Sequence, residues 1–141
     1  MKNVIMDLFL EKKGERLMEL TATVTAIGEK ALSPKDNMVI LFGDKATAAL
    51  REVSVIQQFD DPEAQKSLNI AHGDHIYIND IKYRVAAVGS LANPNLKQIA
   101  HATLIFQPVP DEDMLGNAVY LTPYAKPTFS IGTTIRYVTA D

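Results

Sequence analysis

From Leu20 onward apolar and polar residues alternate: Leu20, Ala22, Val24 and Ala26 take one side, Thr21, Thr23 and Thr25 the other, and Gly28 closes the run. A period of two with β-branched residues predicts a strand. Met38-Val39-Ile40-Leu41-Phe42 is a continuous apolar run, the pattern of a strand buried on both faces. Val53, Val55 and Gln57 share one face of a third expected strand, with Gln57 at its end, after a short helix through Ala46 to Arg51. His75 to Ile78 and Ile81 to Val88 flank Asn79-Asp80, a two-residue hairpin signal. Within that hairpin, alternation assigns Ile81, Tyr83, Val85 and Ala87 to the core and Lys82 and Arg84 to solvent. Ala102 to Phe106, Ala118 to Leu121 and Thr134 to Val138 bring the count to about eight short strands. The fold class is therefore all-β, a small antiparallel barrel or sandwich with one or two short helices. A helix before His101 is expected to be capped by Asn93 with Pro94 in its first position.

The first residues follow a different period. Val4, Ile5 and Leu8 fall at helical spacing, with Lys2, Asp7, Glu11 and Lys12 on the other face. Residues 1–18 thus read as an N-terminal extension, either a short amphipathic helix or a frayed segment, and residues 19–141 as one β domain.

Composition narrows the function. Among 141 residues, 47% apolar and 22% charged is the balance of an ordinary globular domain. A net charge of −3, with no basic run beyond Lys12-Lys13, argues against a nucleic-acid surface. The absence of cysteine removes disulfides, thiolate metal sites and a cysteine nucleophile. No apolar stretch is long enough to span a bilayer and no cleavable leader is visible, so a cytoplasmic protein without membrane insertion is expected.

Titratable candidates are few. His72-Gly73-Asp74-His75 places two imidazoles and a carboxylate close together; a metal pair, a phosphoryl acceptor and a plain turn all fit that spacing. Val88-Gly89-Ser90 could bring backbone N–H groups to a phosphate or simply turn the chain. Arg51 and Arg84 could meet phosphate oxygens, although Arg84 also fits the solvent side of its strand. Asp111-Glu112-Asp113 reads as a solvated acidic loop. No cofactor and no metal centre is expected.

Tyr83-Arg84-Val85-Ala86-Ala87-Val88-Gly89-Ser90, then Asn95-Leu96, then His101-Ala102-Thr103-Leu104-Ile105-Phe106 carry the clearest resemblance to a known family. With weaker matches at Ile27-Gly28, Ala31-Leu32-Ser33, Met38-Val39-Ile40, Leu50 and Ile56, the chain resembles the glucitol/sorbitol-specific IIA component of the bacterial phosphoenolpyruvate-dependent sugar phosphotransferase system. The resemblance implies a phosphocarrier that takes a phosphoryl group from the histidine phosphocarrier HPr and passes it towards a IIB/IIC sugar permease. It also implies an acceptor histidine immediately after Ile56, where this chain has Gln57; Gln58 and Phe59 stand where the family shows a cysteine and a second histidine.

That replacement has a chemical meaning. Neutral imidazole offers a nucleophilic nitrogen near pH 7. A carboxamide nitrogen has its lone pair delocalised into the carbonyl, so Gln57 can hydrogen-bond a phosphate but cannot carry one. His101 matches a histidine of the family motif; it could orient or replace the acceptor, or be a structural histidine. A joint role would bring Gln57 and His101 together, with His72 a further candidate acceptor. Three functions remain open: a IIA relay, a IIA-like interaction module that binds without transferring, and a small-molecule binding barrel unrelated to phosphotransfer. A homo-oligomer is left open as well.

Overall fold

The alternating threonine-rich run becomes the longest strand. In the computed structural model, which describes residues 17–140, β1 (Leu17–Ile27) turns Leu20, Ala22 and Val24 into the core. There follow β2 (Met38–Phe42), α1 (Ala48–Glu52), β3 (Val55–Phe59), α2 (Pro62–Gln65), β4 (His75–Ile78), β5 (Ile81–Val88), α3 (Ala92–Ile99), β6 (Ala102–Ile105), β7 (Ala118–Thr122) and β8 (Thr134–Ala140). The expected N-terminal helix falls on residues 1–16, outside the described residues; Leu17 and Met18 already belong to β1.

The strands close into a barrel in the order β1-β3-β2-β6-β7-β5-β4-β8. Closure leaves no unpaired edge, which matters for a chain this rich in β-branched residues. The expected all-antiparallel pairing is corrected: β2–β3 and β6–β7 run parallel. Both parallel pairs are joined by connections of about a dozen residues, 43–54 and 106–117, the length a parallel crossover needs. In the first connection α1 carries the chain back. Three short helices occur among the described residues, one more than expected.

Glycine explains how tightly α1 seats. Gly28 donates its N–H to the Ser54 carbonyl (2.9 Å), and a Cβ on it would lie 2.0 Å from the Arg51 carbonyl oxygen. Only a residue without a side chain permits that approach.

Inside the barrel, Val39, Leu41, Val55, Ile76, Ile78, Tyr83, Val85, Leu104, Val119, Leu121 and Ile135 form one contiguous core. The β4–β5 hairpin turns at Asn79 (φ 51°), with Ile78 opposite Ile81 as its chemistry predicted. Two details of the hairpin reading are corrected. Ile81 is about half exposed, because it closes the turn rather than entering the core. Between Val85 and Ala87 the β5–β7 register slips, so Ala86 and Ala87 both pack in a second cluster with Ile105, Ala118 and Tyr120. A bulge adds one residue to a strand and breaks its alternation beyond that point.

The cap expected from Asn93 is also corrected. α3 begins after Leu91, and Asn93 uses its amide elsewhere: Oδ1 accepts from Ile70 N (2.7 Å) and Nδ2 donates to Ile70 O (2.8 Å). A side chain that mimics a strand partner for one residue pins α3 to the segment before β4. The helix ends at Ala100 in the left-handed conformation (φ 56°), which turns the chain directly into β6.

Candidate functional site

Position 57 is the centre of β3, not its end, and its side chain points inward. Val55 and Phe59 on either side join the core, so period two carries Gln57 into the interior with them. The residue is 1% exposed, and both ends of its amide are engaged. Nε2 donates to the Ala100 carbonyl (3.0 Å), and Oε1 accepts from the fully buried Tyr137 hydroxyl (2.7 Å). Burial pushes the Tyr137 phenol well above its usual range, so this hydroxyl keeps its proton and remains a donor.

Above Gln57 opens a depression of about 270 Å³, lined by Gly43, Lys45, Gln58, Phe59, Gln65 and Ile99 among others. α2 and the end of α3 wall it. Gln65 bridges them by donating Nε2 to the Leu96 carbonyl (2.9 Å). Gly43 donates to the Ile99 carbonyl (2.9 Å), holding the β2 exit against the same helix end.

His101 follows Ala100 directly, yet its ring takes the other direction. It lies flat on Phe42, centroids 4.2 Å apart, a residue that alternates away from the inward-facing Val39 and Leu41. Nδ1 donates to the Leu41 carbonyl (2.9 Å) and Nε2 accepts from the Asn117 amide (2.9 Å), which also donates to Thr103 Oγ1 (3.1 Å). A carbonyl on one nitrogen and an amide N–H on the other define the neutral Nδ1–H tautomer. Both nitrogens are thus occupied in tying β2 to β6 and to the turn before β7. The joint site expected of Gln57 and His101 does not form: the residues share the Ala100 turn, but their side chains leave it on opposite sides of the barrel wall.

The His72–His75 turn is elsewhere. Asp74 accepts from Ala71 N (2.8 Å) through one oxygen and from Ala140 N (3.2 Å) through the other, so it fastens the turn to β8. His72 Nε2 accepts from Arg84 Nη2 (3.3 Å). Burial lowers the affinity of His75 for a proton, and the cations Lys82 and Arg84 lower it further, while Asp74 acts in the other direction. Among the described residues no three His, Cys, Asp or Glu side chains are grouped to hold a metal ion. Gly89 cradles no phosphate: its N–H donates to the Ala118 carbonyl (2.8 Å), and it packs against the backbone of Leu115 and Gly116.

What sequence reasoning missed is Tyr137. It lay within the expected strand Thr134 to Val138, but its pairing with a residue 80 positions away in the chain follows only from barrel closure.

The eight strands close into a small mixed barrel with this depression beside β3. The family model for the PTS system glucitol/sorbitol-specific IIA component matches residues 19–136, and the chain belongs to that family. It is 32% identical over 97 residues to the glucitol/sorbitol-specific EIIA component of Escherichia coli K12, covering 67% of this chain and 74% of that protein. The Shigella flexneri counterpart matches to the same extent. A crystal structure of a PTS system IIA component from Enterococcus faecalis V583 superposes with a TM-score of 0.80 at 45% identity, covering 84% of this chain and 99% of that one. No helix among the described residues is long and apolar enough to cross a membrane.

Proposed function

We propose that this chain is a IIA-type docking module of the sugar phosphotransferase system, which engages HPr and a IIB/IIC permease without carrying the phosphoryl group at position 57. The observation that supports this reading most is the state of Gln57: a non-nucleophilic carboxamide, buried, with both ends hydrogen-bonded. Phosphoryl transfer needs an in-line nucleophile that reaches the donor phosphorus. Gln57 supplies neither the lone pair nor the reach, while a depression of about 270 Å³ remains open beside it.

The relay from HPr towards IIB, which membership of the family implies, requires an acceptor other than position 57. His101 has both ring nitrogens engaged, and His72 has Nε2 against Arg84. Neither faces the depression beside β3 among its lining residues.

The deciding experiment incubates the protein with phosphoenolpyruvate, enzyme I and HPr, measures intact mass, and in parallel titrates labelled HPr by NMR. We expect no gain of a phosphoryl group and saturable shifts on HPr. An acid-labile gain of one phosphoryl group would return the chain to the relay class. Absence of both mass gain and HPr binding would overturn both readings.

A further inference from the structure

Away from the depression, the outer face of the β4–β5 hairpin gathers positively charged side chains that form no ion pair among the described residues. His75 is the register partner of Arg84, and Tyr77 of Lys82, so all four side chains share the outer surface while Ile76, Ile78, Tyr83 and Val85 point inward. His72 reaches the same point from the preceding turn, with Nε2 3.3 Å from Arg84 Nη2. Neither Lys82 nor Arg84 has a carboxylate within ion-pair distance among the described residues. Asp74 and Glu19 hold other partners. Both oxygens of Asp74 accept backbone N–H groups of the turn and of β8, and Glu19 pairs with Arg136 (3.5 Å), which itself lies over the Tyr77 ring (4.1 Å). Asp80 sits in the hairpin turn, with Tyr77 and Lys82 paired beyond it. In a chain of net charge −3, this local excess is not a general property of the surface.

We propose that Arg84, Lys82, His72 and His75 form a binding site for a dianionic phosphate group. A guanidinium presents several N–H donors in one plane, and only one is used towards His72, so the rest of the fork remains for phosphate oxygens. Lys82 adds a point charge on the same outer face, and each imidazole can offer a ring N–H. Burial first, and then the Lys82 and Arg84 cations, oppose protonation of His75; a bound phosphate would offset the second of these causes. The site is separate from Gln57. His75 aligns with Val138 and Val138 with Glu19, whereas Gln57 aligns with Val24, five residues along β1, or about 17 Å in a strand. The inference therefore holds whether or not position 57 takes part in transfer.

The test is a two-dimensional NMR titration of the full chain with inorganic phosphate and, separately, with glycerol phosphate as a simple phosphomonoester, at about pH 8, where both ligands are dianions. We expect saturable shifts confined to the His72–His75 turn and to Lys82–Arg84. Arg84→Gln, an exposed substitution, should raise the Kd at least about tenfold in both titrations. Equal affinity for the two ligands assigns the site to the bare phosphate group, and tighter binding of the ester assigns it to an esterified one. Unsaturable or scattered shifts with both ligands, or an unchanged Kd in Arg84→Gln, would overturn the proposal.

Discussion

Gln57 is a buried carboxamide whose weight in the fold can be measured apart from any chemistry. Its amide joins the α3–β6 turn to β8 through Ala100 and Tyr137, two partners that would otherwise be buried polar groups without hydrogen bonds. Gln57→Ala should therefore cost about 2–4 kcal/mol, from the stranded hydroxyl and carbonyl plus a cavity. Gln57→His should cost less, about 1–2 kcal/mol, because a neutral imidazole has one donor and one acceptor to offer the same two partners. Urea unfolding of the two variants checks the order; an alanine variant within about 0.5 kcal/mol of the parent would show that the bonds carry no weight. A histidine placed there would have a nitrogen free for a phosphoryl group only if Tyr137 or Ala100 released it. The identity of Gln57 and the face it shares with Val55 were legible in the sequence, whereas its buried place at the centre of the strand was not. Its partners were not, since hydrogen bonds between residues far apart in the chain depend on which strands close the barrel.

At the scale of elements, short-range signals were readable and long-range pairing was not. The Asn79-Asp80 turn and the strands around it follow from local chemistry, as does the return from α3 to β6. The two parallel pairs could not be read, because alternation within a strand gives no direction relative to its neighbour. The misplaced Ala87 has a similar cause: a bulge is set by how β5 meets β7, not by β5 alone. The hairpin offers a direct check on the part that was read correctly. Val85 is fully buried, so Val85→Ala should cost about 1–3 kcal/mol. Arg84 faces solvent without an ion pair, so Arg84→Ala should stay within about 0.5 kcal/mol. Equal losses at the two positions in chemical denaturation would mean that the inward face of β5 is assigned wrongly.

For the whole molecule, barrel closure decides how stability responds to pH, because it buries tyrosine hydroxyls that the unfolded chain exposes. Tyr137 is 1% exposed and Tyr83 likewise; the Tyr83 hydroxyl donates to the Ala125 carbonyl (2.6 Å), and burial raises both phenols above their ordinary value. An unfolded tyrosine releases its proton near pH 10, whereas the folded protein holds it, so above that pH the unfolded state is favoured by proton release. The stabilisation is complete below about pH 10 and is lost as pH rises towards the folded value, at up to about 1.4 kcal/mol per pH unit for the fully buried Tyr137. At the acid end His75 works with the opposite sign: its folded form resists protonation, so stability falls as pH drops below the ordinary histidine range. Tyr137→Phe separates the alkaline contribution from the hydrogen bond. At neutral pH the variant should lose about 1 kcal/mol, because Gln57 Oε1 loses its donor. Between about pH 9 and pH 11 it should lose less with each step than the parent, since phenylalanine has no proton to release on unfolding. The two stability curves would then converge or cross at high pH in urea denaturation. Parallel curves over that range would show that the Tyr137 phenol ionises as readily in the folded barrel as in the unfolded chain, and that the interior around Gln57 is open to water.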